Sequence, residues 1–150
     1  MQILTSFKKT ITISFLLIGS LSGEPIGTIS EQKGFAGLQR DGETSVISAS
    51  EFPDVLMYDT AQTVNGRMKI QFKGDEQLDL TEHTKVWIDE VYYDPDPSKS
   101  KMAIRMAQGT ARFASGFGGK IKKSNINIST PTAQIAVQGT DFTTSIDEIG

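Results

Sequence analysis

Short runs in which apolar and polar residues alternate are the feature that most constrains the fold of this chain. Met68, Ile70 and Phe72 alternate with Lys69 and Gln71. The same period of two recurs in six further runs, which are centred on Asp79, Trp87, Arg105, Asn127, Ala136 and Thr144. Successive side chains of a β-strand point to opposite faces, so each run predicts a strand with one face in a core. Since no convincing helical pattern follows residue 22, the sequence predicts an all-β domain.

Turn-forming residues lie where these runs end. Asn65-Gly66 is the strongest hairpin signal, because a two-residue type I′ turn needs positive φ at both central positions. The segment from Asp94 to Ser100 contains two prolines and predicts a division of the domain into two sub-units around one core. The other turn signals are Asp41-Gly42, Gly74-Asp75, Gly116 to Gly119 and Thr130-Pro131. Many short strands at such intervals indicate a β-sandwich, a barrel or a β-solenoid.

The first 22 residues have the pattern of a secretory signal peptide. Lys8-Lys9 precedes an uncharged apolar stretch, residues 10–21, which is shorter than the roughly 20 residues that a membrane-spanning helix needs. Small residues follow this stretch and predict cleavage near Ser22. We therefore expect a mature domain over residues 23–150, without a transmembrane helix, in the periplasm or secreted. The alternatives are an uncleaved anchor or a buried first strand.

The charge balance argues against nucleic-acid binding. The chain has 15 basic and 18 acidic side chains, and removal of Lys8 and Lys9 leaves 13 bases, for a net charge of −5. Neutralising phosphates requires clustered Lys and Arg, and the short run Lys120, Lys122 and Lys123 is expected to be a solvated turn. There is no Cys, which excludes disulfides, thiolate zinc ligands and thiol nucleophiles.

Two segments carry a pattern known from one protein family. The stretch from Thr130 to Phe142, TPTAQIAVQGTDF, shows Thr-Pro-x-Ala, an apolar strand and Gly-Thr-x-Phe, and a second segment spans residues 65–89. Together with the strand at 108–112 they resemble the FecR family of bacterial envelope proteins, over roughly residues 26–150. The resemblance implies a β-solenoid-like or sandwich domain. Family members usually continue with at least one more strand, which implies a fragment or a domain without its last strand.

The family motif itself predicts a structural corner, with a ligand-facing edge as the alternative. Its residues are Thr130, Pro131, Ala133, Gly139, Thr140 and Phe142. Pro131 suits the start of a strand, and Ala133 shares an inward parity with the apolar residues that follow it. At Gly139 we expect a bend that a Cβ would obstruct, with Thr140 bonded to the local backbone and Phe142 returning to the core.

No set of residues in the sequence forms a convincing catalytic, cofactor or metal site. His83 is the only histidine and lies in a polar turn. Asp94 and Asp96 could donate oxygens to Ca²⁺, but no Glu follows at the EF-hand distance. Asp79 and Asp89 could point outward as the paired carboxylates of a carbohydrate-active or polysaccharide-binding β-solenoid, which is a further alternative. We therefore expect a protein that is not an enzyme and holds no cofactor.

Three aromatic residues, Trp87, Tyr92 and Tyr93, form the candidate contact surface. Exposed aromatics can stack on sugars or contact a protein, and the alternative is burial on both faces under the loop that follows. FecR proper couples an outer-membrane receptor to a cytoplasmic sigma factor through a transmembrane helix. Only nine residues precede the apolar stretch here. The resemblance therefore implies the extracytoplasmic domain alone, binding a protein or a surface polymer.

A second class of function is a structural component of the envelope, a secreted structure or a virion surface. It would self-associate through sheet edges, because an unpaired edge offers a row of free backbone hydrogen-bonding groups.

Overall fold

The computed structural model describes residues 23–116, 118–137 and 139–146, and the predicted signal peptide, residues 1–22, lies outside them. The described residues contain twelve strands and one short 3₁₀ helix, Lys123–Asn125, so the prediction of an all-β domain of many short strands is confirmed. The strands are β1 (Gly27–Lys33), β2 (Ala36–Arg40), β3 (Glu43–Ile47), β4 (Asp54–Val55), β5 (Thr60–Thr63), β6 (Arg67–Phe72), β7 (Gln77–Leu80), β8 (Lys85–Tyr92), β9 (Lys101–Ala114), β10 (Ile126–Ser129), β11 (Gln134–Ala136) and β12 (Asp141–Ile146).

Four long antiparallel strands, each bent in the middle, form the frame of the fold. β1 continues into β2, β5 into β6, and β7 into β8, because the two members of each pair lie one after the other against the same neighbouring pair. β9 alone spans the whole length, and pairs with β8 by its first half and with β7 by its second. We call the line of bends the spine. Arm A holds β1, β4, β6, β7, the second half of β9 and β12, and arm B holds the other strands. The result is a curled, half-barrel sheet.

Close backbone approach at glycines permits the spine to bend. A Cβ on Gly66 would overlap the carbonyl oxygen of Lys33 and stand 3.0 Å from the Cα of Gly34. At Gly109, where β9 crosses the spine, φ is +88° and a Cβ would lie 2.5 Å from the Cα of Thr84. Polar groups that the bend removes from strand pairing are bonded by threonines. Thr84 Oγ, for example, accepts from the amide of Thr110 and donates to its carbonyl, both at 3.1 Å.

The prediction of a hairpin at Asn65-Gly66 is wrong. β5 pairs with β2 and β8, and β6 pairs with β1 and β7, so the dipeptide carries one long strand across the spine. Neither residue has a positive φ. The type I′ geometry occurs instead at Asp41-Gly42, with φ values of 51° and 83°, where it joins β2 to β3.

The prediction that the segment from Asp94 to Ser100 divides the domain is also wrong. This segment connects β8 to β9, which pair with each other along seven registered positions. Its prolines lie in a loop at one end of arm B, where no strand partner needs their missing N–H groups. The halves of the domain are instead defined by the spine.

One hydrophobic core fills the space between the arms. The alternation predicted at Met68, Ile70 and Phe72 is confirmed, since all three are buried. The same cluster takes Leu38 and Ile88 from arm B. Burial of each such side chain stabilises the fold by about 1.5–3 kcal/mol.

The ends of the arms opposite the spine form what we call the mouth. β9 ends there in arm A at Ala114, and β10 begins there in arm B at Ile126, so the connection between them crosses the mouth. Ile121 in this connection is buried and belongs to the core cluster. The mouth is therefore closed in part by this crossing segment.

Candidate functional site: an aromatic cleft at the mouth

A cleft of about 670 Å³ opens at the mouth. Ile26 and Lys73 line it from arm A, and Arg40 and Val91 line it from arm B. Segments that are far apart in sequence therefore meet here only because the sheet folds along the spine. Binding sites are usually concave, mostly apolar and marked by a few placed polar groups, which describes this cleft.

A clamped turn from Leu56 to Asp59 forms one wall of the cleft. The Asp59 carboxylate is fully buried, at 0% exposure, whereas the side chain of Arg40 is 44% exposed. Asp59 Oδ1 accepts from Arg40 Nε, and Oδ2 accepts from Arg40 Nη2 and from the amide of Leu56, all at 2.8 Å. This hydrogen-bonded carboxylate raises the pKa of Arg40. Because a buried charge is tolerated only when it is paired and hydrogen-bonded, Arg40 holds the turn in place.

The clamp presents Tyr58 to solvent in a strained backbone conformation. Tyr58 has a φ of +69° and is 77% exposed. A side chain other than glycine costs about 1–2 kcal/mol in this left-handed region. The Tyr58 amide donates to the carbonyl of Ile88 at 2.7 Å, which fixes the turn against β8. Met57 beside it is also exposed. Strain of this kind clusters at functional sites, and here its visible effect is an exposed aromatic ring.

Tyr92 and Tyr93 lie on the same cleft but face different ways. Tyr92 is exposed, and its hydroxyl donates to Asp94 Oδ2 at 3.2 Å. Tyr93 turns into the mouth, where its hydroxyl donates to Oε2 of the buried Glu76 at 2.7 Å. Burial, followed by this hydrogen bond, raises the pKa of Tyr93. Glu76 precedes β7 in arm A and Tyr93 follows β8 in arm B, so the pair links the two arms.

Trp87, the third residue of the predicted contact surface, lies elsewhere. It is five residues before Tyr92 on β8 and therefore about 16 Å away along the strand. Its ring is half-buried on the outer face of arm B, with Arg105 5.0 Å and Lys85 5.5 Å from the ring centroid. The cleft thus contains two of the three predicted aromatics.

Sequence reasoning missed the clamp and the aromatic residue that it holds. Arg40 and Asp59 are 19 positions apart and pair only in the folded chain. Tyr58 carried no local signal, because a tyrosine in a left-handed turn runs against backbone preference.

The family motif of residues 130–142 differs in part from its predicted corner. Ala133 is exposed, so the prediction that it faces inward is wrong; its amide and carbonyl bond Thr130 in the turn between β10 and β11. Pro131 lies in this turn, before the strand begins. The obstruction predicted at Gly139 is also wrong, because a Cβ there would meet no atom of the described residues closer than 3.7 Å.

The end of the motif does reach the core. Thr140 contributes its carbonyl oxygen, which accepts from the amide of Ser115 at 2.7 Å. Phe142 is half-buried, and its ring centroid lies 5.5 Å from that of Phe113. This end of the motif therefore attaches β12 to β9, at the mouth side of arm A.

The carboxylates considered for glycoside chemistry are separated in the fold. Asp79 belongs to arm A, where it lies in register between Lys69 and Arg112. Asp89 belongs to arm B and accepts two hydrogen bonds from Arg105, at 2.6 and 2.7 Å. A glycosidase needs two carboxyl groups facing one bond, and these two lie on different arms.

The residues considered as calcium ligands or as a base make local contacts. Asp94 Oδ1 accepts from the amide of Asp96, and Asp96 Oδ1 accepts from the amide and hydroxyl of Ser98, which lowers the pKa of Asp96. His83 is exposed at a bend with a φ of 50°. Within the described ranges, no group of three or more acidic or histidine side chains is placed to hold a metal ion.

These features define a class: an all-β domain with one core, a glycine-lined spine and an aromatic cleft at its mouth. The sequence model of the FecR protein family matches residues 58–149, which is more than half of the chain. The chain therefore belongs to the FecR family. No curated protein and no solved structure matches the chain significantly. Among the residues that the structure describes, no helix is long and apolar enough to cross a membrane.

Proposed function

We propose that this chain is an exported, non-catalytic binding and signalling module of the bacterial cell envelope, which contacts a protein partner through the cleft at its mouth. Family membership supports a signalling or regulatory role at the envelope. The basic and then apolar N-terminal sequence, with small residues up to Ser22, supports export to the periplasm or secretion.

One observation carries the assignment of the cleft as the contact site: Tyr58 is exposed on a turn that the ion pair of Arg40 with the buried Asp59 clamps. Tyrosine is enriched among the residues that dominate binding energy, because a rigid ring buries large area at low entropic cost. Met57 and Tyr92 add exposed apolar and aromatic surface to the same cleft. A partner that covers these residues gains their burial without having to order the turn first.

The test is crosslinking in the native host. A photoreactive amino acid replaces Tyr58 or Tyr92 in the full chain, and a matched control carries it at Thr44, an exposed position on β3. We expect one protein partner to be captured from both cleft positions and not from Thr44, and the captured chain to begin near Gly23. Equal capture from all three positions, or a chain confined to the cytoplasm, would contradict the proposal. Retention on envelope polysaccharide without a crosslinked protein would identify a surface polymer instead.

A structural, self-associating component is the second candidate, favoured by one edge of arm B. Within the described residues β3 pairs only with β2, and its exposed Val46 adds an apolar side chain to that edge. Edge strands of this kind invite pairing between copies. Sedimentation across a wide concentration range tests it, with Val46→Lys as the variant that should abolish any association. A strictly monomeric wild-type chain would contradict this second candidate function.

A further inference from the structure

Two loops at the mouth of arm B pack against each other because of a parallel strand pair. β9 and β10 run side by side in the same direction, so the segments that precede them meet at one end of the arm. The amide of Lys122 donates to the carbonyl of Pro97 at 3.0 Å. The side-chain amide of Asn125 donates to the carbonyls of Ser98, at 2.7 Å, and Ser100, at 3.0 Å. A short basic run is thereby brought against a second lysine-bearing loop.

The docked loops collect exposed lysines on what we call the basic face. Its members are Lys99, Lys101, Lys120, Lys122 and Lys123. The buried Ile121 anchors this face to the core. Four acidic side chains lie beside these lysines. Glu90 of β8 is 3.9 Å from Lys101, and Asp94 and Asp96 cap their own turns. Asp75 lies against Gly116, in the segment that carries Lys120.

The charge of the basic face opposes that of the remaining domain. Five bases and four acids give it a charge of +1, whereas the remainder of residues 23–150 has eight bases and fourteen acids, or −6. A surface with a negative potential would therefore attract this face and repel the others, which fixes an orientation. None of the five lysines lines the 670 Å³ cleft or the second cavity of about 310 Å³, so the face suits an extended anionic surface rather than a small ion.

We infer that the basic face holds the domain against an anionic phospholipid bilayer. Lysines near such a surface each strengthen binding by about fivefold, and the contribution is screened by salt. This inference rests on the proposed export, since an exported domain meets a membrane surface. It concerns a different surface from the protein contact, so either can fail alone.

Flotation with vesicles tests the inference, using the full chain in the form that its host accumulates. The variant Lys120→Gln/Lys122→Gln/Lys123→Gln removes three charges from the basic face. The control Lys33→Gln/Arg67→Gln/Lys69→Gln removes three from arm A. Thermal melts first establish that both variants fold.

We expect the wild type and the control to float with phosphatidylglycerol vesicles in low salt, and not with phosphatidylcholine vesicles. The basic-face variant should bind on the order of a hundredfold more weakly. Equal flotation with phosphatidylcholine would overturn the inference in favour of hydrophobic insertion. Equal losses in the two variants would show a non-specific charge effect. Complete competition by soluble polyphosphate at the same phosphate concentration would assign the face to a soluble polyanion. Crosslinking at Tyr58 is scored separately, and its failure would leave these results interpretable.

Discussion

Four glycines allow two effects of a glycine on the stability of this sheet, backbone strain and steric exclusion, to be measured separately. Gly42 has a φ of +83°, but no heavy atom of the described residues beyond its chain neighbours lies within 4 Å of the place where a Cβ would stand. Gly66 lacks a positive φ, yet a Cβ would overlap a backbone carbonyl of β1. Gly109 combines a φ of +88° with an approach of 2.5 Å to the Cα of Thr84. At Gly139, no atom of the described residues lies closer than 3.7 Å to the place of a Cβ. Alanine substitutions therefore separate backbone strain from steric exclusion.

Each alanine variant has a distinct expected loss in the free energy of unfolding. Gly42→Ala should cost about 1 kcal/mol, because left-handed strain is partly offset by a less flexible unfolded chain. Gly66→Ala must push two paired strands apart and should cost about 1–3 kcal/mol, as overpacked sites do. Gly109→Ala meets both penalties and should cost about 3 kcal/mol or more. Gly139→Ala should stay within about 0.5 kcal/mol of the wild type.

Urea unfolding followed by the fluorescence of Trp87, the only tryptophan, measures these losses. The slope of the free energy against urea should stay constant across the series, because the same surface is exposed in each case. A loss at Gly42 equal to the loss at Gly109 would refute the steric part of the reasoning. A loss of stability at Gly139 as large as that at Gly66 would show that close backbone approach does not require glycine at the spine.

Three further predictions concern the cleft. Tyr58→Gly should raise stability by about 0.5–1 kcal/mol in thermal melts, since it relieves left-handed strain and little buried surface is lost, whereas Tyr58→Val should lower it. Arg40→Met should cost about 3 kcal/mol by urea unfolding, because it leaves the buried Asp59 carboxylate unpaired, and Asp59→Asn should cost less, because Arg40 can reach water. Equal losses would contradict this asymmetry. Tyr93→Phe should cost about 1 kcal/mol at neutral pH, because Glu76 loses a donor. The raised pKa of Tyr93 means that the unfolded chain releases this proton first, at about pH 10, so wild-type stability should fall as pH rises past that value. That part of the fall should be absent in Tyr93→Phe.

The strands could be predicted from the sequence because their signal is local. The alternation at Met68, Ile70 and Phe72 states which side of a strand is buried whatever the strand pairs with. The hairpin predicted at Asn65-Gly66 was wrong because strand pairing at this position is not decided by local sequence. The same dipeptide can close a hairpin or lie where two backbones cross, and the choice depends on whether β5 pairs with β6 or with β2 and β8. The two residues of the dipeptide therefore do not indicate which strands will pair.

The site was predictable only where its residues are close in sequence. Tyr92 and Tyr93 attract notice as an aromatic pair at the end of a strand. The clamp does not, because Arg40 and Asp59 look like ordinary strand-end charges until the fold buries one of them. Tyr58 was missed because it breaks a local rule. Positions where natural sequences break such rules are often functional, so the failure at Tyr58 agrees with its proposed role in contact.

The family match begins at Tyr58, but the residues that must fold together begin earlier in the chain. β1 and β2 pair with β6 and β5 along almost their whole length. Segments before Tyr58 supply Arg40 and six residues of the core, Ile26, Ile29, Ala36, Leu38, Ile47 and Val55. A chain of residues 58–150 would expose one side of β5 and β6 and leave the Asp59 carboxylate buried without its partner. It should show no cooperative unfolding transition, whereas residues 23–150 should unfold in one step. A peptide of residues 23–57 should restore the transition when it is mixed with the truncated chain, and the same peptide carrying Arg40→Met should restore it less well. A cooperative transition in the truncated chain alone would contradict this argument, and would place the independently folding unit where the family match begins.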